Sequence, residues 1–318
     1  SEIDQKDLRF LRFLESHKSA HSLLPLPFNS RPSMNSSYHL LKSRRELIDL
    51  HEHLSPYNKE YSPLLNAVNF ALLSPPTPTR MFIYRFGDSI DSYYVAVHEP
   101  NIFIGPPIDG HHLSILNYLL HELFNIILPD IAPGTSKFVL DTDTKVPPVI
   151  EYSINSFSVE YSGLFRRFYM NDDQLMQLQK MTITAPVGYT ISEIDADDEY
   201  NEIHDAWPYG KLMDRELTRQ QLLHLPSSCI RCNDGSLASW ELSHHFMKMS
   251  HHFTYPSHRG KGLGVLTELL IAKRYIELGY RPFKGVSDDN EGVIRGTRGS
   301  PHWTEGRLHS FCILRRKE

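Results

Sequence analysis

The residues best equipped for chemistry lie in one short segment, Arg259-Gly260-Lys261-Gly262-Leu263-Gly264. It stands between a predicted strand and a predicted helix. Glycines let a backbone come close to a ligand and take up positive φ. The free N–H groups of a helix start bind phosphate oxygens, and the helix dipole favours their charge. Arg259 and Lys261 add counter-charge. The segment therefore predicts a pyrophosphate cradle. It contains neither Gly-x-x-x-x-Gly-Lys-Ser/Thr nor a full Gly-x-Gly-x-x-Gly, so it is not a standard nucleotide fingerprint.

Just upstream, strand alternation puts Lys248, Ser250, His252 and Thr254 on one face and turns His251 the other way. His252 suits proton transfer near neutral pH, because imidazole titrates near 6.5. Lys248 is a poor base unless desolvated. His252, Lys248 and Ser250 are thus the candidate catalytic side chains. Cys229-x-x-Cys232 has no second pair and reads as strand cysteines in the core rather than as zinc or redox chemistry. His244-His245 and His251-His252 are neighbours on strands, so each pair splits between two faces, which argues against metal ligation. No Gly-x-Ser-x-Gly nucleophile signature occurs. No metal is expected.

The elements that must position these residues follow from periodicity. Leu8, Leu11 and Leu14, and again Leu47, Leu50 and Leu54, recur at helical spacing. Residues 24–37 and the proline-rich segment from Ser74 read as loops. Strands are predicted at 81–86, 93–97 and 101–104, then a buried helix over 112–128 ended by Pro129, then a strand at 137–141. Pro147-Pro148 marks a soft boundary. A strand over 156–170 precedes a short helix capped by Asn171, and 184–188 is the inter-domain seam. The second half reads as a strand at 189–194, helices at 197–207 and 214–225, and strands at 229–232, 237–243 and 246–254. Asn233-Asp234-Gly235-Ser236 signals a hairpin. The glycine segment follows, then a helix over 263–278 with Leu266, Leu269, Leu270 and Ile276 on its apolar side and Gly279 as its C-cap. Strands at 281–287 and 307–314 complete the chain.

Composition sets outer bounds. The chain has 318 residues, about two domains at roughly 100–200 residues each. With 40% apolar and 22% charged residues it can build a core. A net charge of −5 argues against nucleic-acid binding by bulk positive charge. Three cysteines form no disulfide framework, so a reducing compartment is expected. No apolar run approaches the roughly 18–20 residues of a membrane span. The start, Ser-Glu-Ile-Asp-Gln-Lys-Asp, has neither signal-peptide nor transit-peptide character. The chain reads as soluble and cytoplasmic, without a membrane or nucleic-acid partner. It also holds 18 histidines, of which His244, His245, His251, His252 and His258 fall close together.

The Arg-x-x-Gly-x-Gly spacing after a fourth strand resembles the acyl-CoA loop of the GNAT superfamily of N-acyltransferases. Further motifs resemble the C-terminal part of the glycine N-acyltransferase family: Leu225-Pro226-Ser227-Ser228-Cys229, Asp234-Gly235, Ser239-Trp240, Thr254-Tyr255-Pro256, Leu278-Gly279-Tyr280, Val286 and Asn290-Glu291. The resemblance covers about 187–318. It implies an α+β GNAT fold with a mixed, mostly antiparallel sheet in tandem arrangement: a degenerate GNAT-like half at 1–150, a connecting strand and helix at 151–186, and an acyl-CoA-binding domain at 187–318. The first half lacks the glycine motif, so no second CoA is expected there.

The implied activity is transfer of an acetyl or longer acyl group from a CoA thioester to glycine, another amino acid or another small amine by direct attack. The CoA arm would lie between the strand ending near Thr254 and the strand at 281–287. Backbone N–H groups at Phe253, Thr254 and Tyr255 would hold the arm, and Arg259, Gly260, Lys261, Gly262, Leu263 and Gly264 the phosphates. Asn290 either meets the arm or caps a helix. The family's glutamate base falls at Lys248, which makes His252 the substitute, and no tyrosine follows Asn290 as general acid. Trp240 and Trp303 stand as acceptor-pocket or core residues. Two other readings stay open: a non-catalytic acyl-CoA-binding or regulatory protein, and a peptide or protein N-acetyltransferase. The family also admits a mitochondrial location, and the oligomeric state is left open.

Overall fold

The computed structural model describes residues 38–73, 80–88, 90–106, 113–142, 146, 150 and 156–317. The predicted helix through Leu8, Leu11 and Leu14, both loops before residue 80 and the Pro147-Pro148 boundary lie outside the described residues.

One run of elements occurs twice. In the first half, β1 (Tyr38–Leu40) is followed by helices α1 (Arg44–Leu54) and α2 (Asn58–Leu73). Three antiparallel strands come next: β2 (Met81–Phe86), β3 (Tyr93–His98) and β4 (Asn101–Gly105). Helix α3 (Leu113–Glu122) then leads to β5 (Lys137–Thr142), which is parallel to β4. Strand β6 (Phe157–Tyr169) and helix α4 (Asp172–Lys180) connect to the second run. That run comprises β7 (Tyr189–Ser192), α5 (Tyr200–Ala206), α6 (Arg215–His224), β8 (Ser227–Cys232), β9 (Leu237–His244), β10 (Lys248–Thr254), α7 (Leu263–Glu277) and β11 (Phe283–Ser287), with β11 parallel to β10. Helix α8 (Glu291–Arg298) and β12 (Thr304–Arg316) follow. The architecture is α+β, and the expected tandem arrangement is present in the element order.

The twelve strands among the described residues form one sheet, ordered β1-β2-β3-β4-β5-β12-β6-β11-β10-β9-β8-β7. The two long central strands cross between the runs. Strand β6 pairs with β11 of the second run, and β12 inserts between β5 and β6.

Local chemistry explains most boundaries. Ser43 and Glu46 form a capping box at α1, whose Leu47, Leu50 and Leu54 turn one buried stripe inward. Asn171 and Gln174 do the same for α4. Each fully buried Leu or Phe contributes about 1.5–3 kcal/mol. Helix α3 runs past the predicted stop at Pro129: a π-turn at Leu123–Ile127 is followed by a last turn, Leu128–Ile131. The wider turn leaves Pro129 in a first-turn position, where its missing N–H breaks no bond.

The strand predicted at 246–254 begins only at Lys248. Phe246 and Met247 have φ of 62° and 51° and form a tight turn with His245. The physical reason is burial. That turn drops Phe246 into the core of the first half, where its ring meets Phe103 at 6.3 Å.

Candidate active site

The glycine segment folds as the sequence requires of an anion cradle. Pro256–His258 makes a single 3-10 turn; Gly260 and Gly262 then take φ of 73° and 79°, and Gly262 caps α7. A Cβ at Gly260 or Gly262 would meet nothing within 4 Å, so both face open space. The first N–H groups of α7, at Leu263, Gly264 and Val265, have no intrahelical acceptor. Arg259 is oriented by a hydrogen bond from Nε to the Thr254 carbonyl (2.9 Å), and Lys261 Nζ donates to the Tyr189 hydroxyl (3.0 Å). Two cations thus stand beside a row of free amides.

Strand β10, which leads into this turn, borders a gap in the sheet. Parallel strands β10 and β11 share one ladder step, Met249 with Lys284. Beyond it they part around a cavity of about 270 Å³, walled on one side by Trp207, Pro208 and Tyr209 from the segment after α5. A separation at this place, between the strand ending at Thr254 and the next one, is the position expected for a CoA arm.

The side chains on β10 do not share one face as alternation predicts. His251 has φ of 62°, and the register with β9 shifts between Ser250 and Phe253. This β-bulge reverses the faces beyond it. Lys248 points toward the first half, where Nζ donates to Asp141 Oδ2 (3.0 Å) and lies 5.2 Å over the Phe311 ring. Arg167 and His309 approach the same carboxylate at 3.2 and 3.6 Å. Burial raises the Asp141 carboxyl, but His309, Lys248 and Arg167 together hold it well below the usual range. Lys248 is therefore committed to an ion pair. Ser250 lines the cavity. His251 stacks on Trp207 at 4.5 Å, and burial, with help from His204 and His244, pulls its imidazole down to about 3.

His252 lies on the opposite face, against α7. Its Nδ1 is 3.8 Å from Glu268 Oε1, and a Cβ on Gly264 would sit 3.1 Å from Nε2. Burial lowers its pKa and Lys284 adds to this, while Glu268 opposes it. The imidazole is held neutral and able to accept a proton.

Of the remaining expected site residues, Tyr255 changes its role. The Tyr255 N–H donates to the Ala238 carbonyl (3.0 Å), so it is not free for a ligand. Thr254 Oγ1 is tied to Ser239 Oγ at 2.8 Å, on the strand behind it. Asn290 caps α8, accepting from the Val293 N–H (3.3 Å), while it also lines the cavity. Trp240 is core, packed on Phe253 at 4.9 Å. Cys229 is buried in the same core, with its thiol pushed up to about 11 by burial.

The sequence reading missed a buried polar cluster beside His252. Lys284 is ion-paired to Glu268, and its ammonium lies 4.7 Å over the Trp303 ring. Trp303 Nε1 donates to the other Glu268 oxygen (2.9 Å). Glu241 is 1% exposed, with one carboxyl oxygen unpartnered. One ligand atom each of Glu241, His252 and Glu268 lies within 4.8 Å of the others. Burial raises the Glu241 carboxyl well above the usual range, with Glu268 adding to this and Lys284 opposing. Burial also raises Glu268, but Lys284, His252 and Trp303 outweigh it and hold that carboxyl low. A signal was present: Glu241 is the single acid in the fully buried β9, and Glu268 is the single acid on the buried face of α7.

The sequence matches no protein-family profile. Among solved structures, an X-ray structure of a Drosophila protein superposes with a TM-score of 0.64 at 13% identity, over 89% of this chain and 99% of that one. The two chains share a fold. A tandem GNAT protein from the clavulanic acid biosynthesis pathway gives a TM-score of 0.45 at 10% identity, over 87% of this chain and 97% of that one. A GCN5-related N-acetyltransferase from Kribbella flavida gives 0.44 at 12% identity, over 80% and 95%. No helix among the described residues is long and apolar enough to cross a membrane.

Proposed function

We propose that this chain is a GNAT-type N-acyltransferase that moves an acetyl or longer acyl group from a CoA thioester to a small amine. One observation supports the reading: the glycine turn joins β10 to α7, and Gly264 in that turn lies against His252, which lines the cavity between β10 and β11. A candidate anion site and a candidate slot for an extended arm thus stand beside each other. The phosphates would rest on the amides of Gly260–Gly264 with Arg259 and Lys261 beside them. The thioester would then lie near Ser250 and His252. The amine attacks the carbonyl carbon directly, and His252 takes its proton. In this reading 187–318 is the CoA-binding unit, 151–186 connects, and 1–150 is a partner half that binds no second CoA.

A small acceptor suits a 270 Å³ cavity closed on one side by the Trp207–Tyr209 segment better than a peptide does. The resemblance to the glycine N-acyltransferase family makes glycine and other amino acids the first acceptors to try. One observation favours a non-catalytic acyl-CoA-binding protein instead: Lys248, where that family places its base, is locked to Asp141.

Thiol release from acetyl-CoA and longer acyl-CoAs, with glycine and a panel of small amines, decides between them. Turnover that His252→Gln reduces by about a hundredfold, the usual order for a general base, is expected. CoA binding without turnover, unaffected by that substitution, supports the binding protein.

A further inference from the structure

We propose that Glu241, His252 and Glu268 form a shared-proton relay in which Glu241 delivers the proton that the leaving CoA thiolate takes up. The inference rests on the acyl-transfer reading and supplies the general acid that the sequence does not show.

The argument starts from charge. Two carboxyl groups, Glu241 and Glu268, are buried together with one ammonium, Lys284. With His252 neutral, a cluster of this kind carries no net charge when one carboxyl keeps its proton. Glu268 has Lys284, the Trp303 N–H and His252 around it, so it is the ionised one. Glu241 has an unpartnered oxygen, and the groups facing it are Glu268 and Tyr275 from α7, His252 from β10 and Lys284 from β11. The proton therefore rests on Glu241. Glu241 lines the same cavity as His252 and Glu268.

The step balances. The amine nitrogen bonds to the thioester carbon, and its surplus proton passes to neutral His252. The C–S bond breaks, and sulfur takes the Glu241 proton together with the bond's electron pair. The imidazolium then returns its proton to the Glu241 carboxylate, less than 4.8 Å away by its nearest ligand atom. The net transfer is one proton from amine to thiol. Glu268 does not reach the reacting atoms in this scheme. It is a positioning residue that holds Lys284 and orients His252.

The test measures thiol release against pH, with acetyl-CoA and an amine that the wild type accepts. The wild-type rate is expected to rise as His252 becomes neutral and to fall again where Glu241 loses its proton. Glu241→Gln keeps the shape. It is expected to lower turnover by about a hundredfold, to leave CoA affinity within about twofold, and to abolish the alkaline fall. Glu241→Gln with unchanged turnover, or with the alkaline fall intact, overturns the relay and leaves acyl transfer standing. A wild-type rate that never declines at alkaline pH overturns the relay whether or not the variant folds. Wild type without turnover on any acyl-CoA overturns acyl transfer and the relay together.

Discussion

Asp141 is the residue through which the first half of the chain reaches the site of the second. Its carboxylate, on β5, answers Lys248 from β10 and Arg167 from β6, with His309 from β12 alongside. Removing one partner of a buried ion pair leaves an uncompensated charge, at a cost of about 3–5 kcal/mol. Asp141→Asn is therefore expected to lower the urea midpoint strongly. Asp141→Asn combined with Lys248→Met is expected to recover part of that loss, because one stranded cation is gone. Equal stability of Asp141→Asn and wild type would show the cluster to be solvated. None of this was legible in the sequence, because Asp141 and Lys248 stand far apart in the chain and belong to different runs of elements. His252 was legible as a candidate proton acceptor from its type and its place before the glycines. Its direction was not, since alternation assumes an unbroken strand and His251 carries the bulge.

Among the elements, the turn from β10 into α7 separates binding from chemistry by a few residues. Gly262 has φ of 79° and open space where a Cβ would stand. Gly262→Val costs about 1–2 kcal/mol in backbone strain and its Cβ would meet nothing within 4 Å, yet it puts a side chain where phosphates would lie. Loss of CoA affinity in calorimetry with a folded circular dichroism spectrum is expected, and retained affinity would remove the cradle. Gly264 faces inward instead. A Cβ there lies 3.1 Å from His252 Nε2. Gly264→Ala is expected to displace the ring and to lower turnover more than CoA affinity. The strands, helices and caps were largely readable, because periodicity and capping residues are local signals. The left-handed residues Phe246, Met247 and His251 were not, since non-glycine residues adopt positive φ only where packing imposes it.

For the whole molecule, the histidines noted in the composition become a stability term. His244, His245, His251 and His309 are buried, and burial holds each imidazole below its usual value, to about 3 for His244 and His251. Neighbouring positive groups add to this, including Lys248 beside His244 and His309. In the unfolded chain these groups protonate below about pH 6.5. Their folded-state pKa values are depressed, so below that pH the unfolded state binds more protons and stability falls with it. Each such group contributes up to about 1.4 kcal/mol per pH unit in that window. Urea midpoints are expected to decline steeply from pH 7 to pH 5, and a flat profile would contradict the burial of these rings.

The crossing of β6 and β12 has a consequence for how the protein is made. On a ribosome the first run emerges early, yet β5 waits with one edge open until β12 has been translated. Strand β11, made late, finds its partner β6 already present. An open strand edge is an invitation to pair with other nascent chains. The nascent protein thus passes through a vulnerable interval that closes only with β12, and chaperone demand should track that interval rather than overall length.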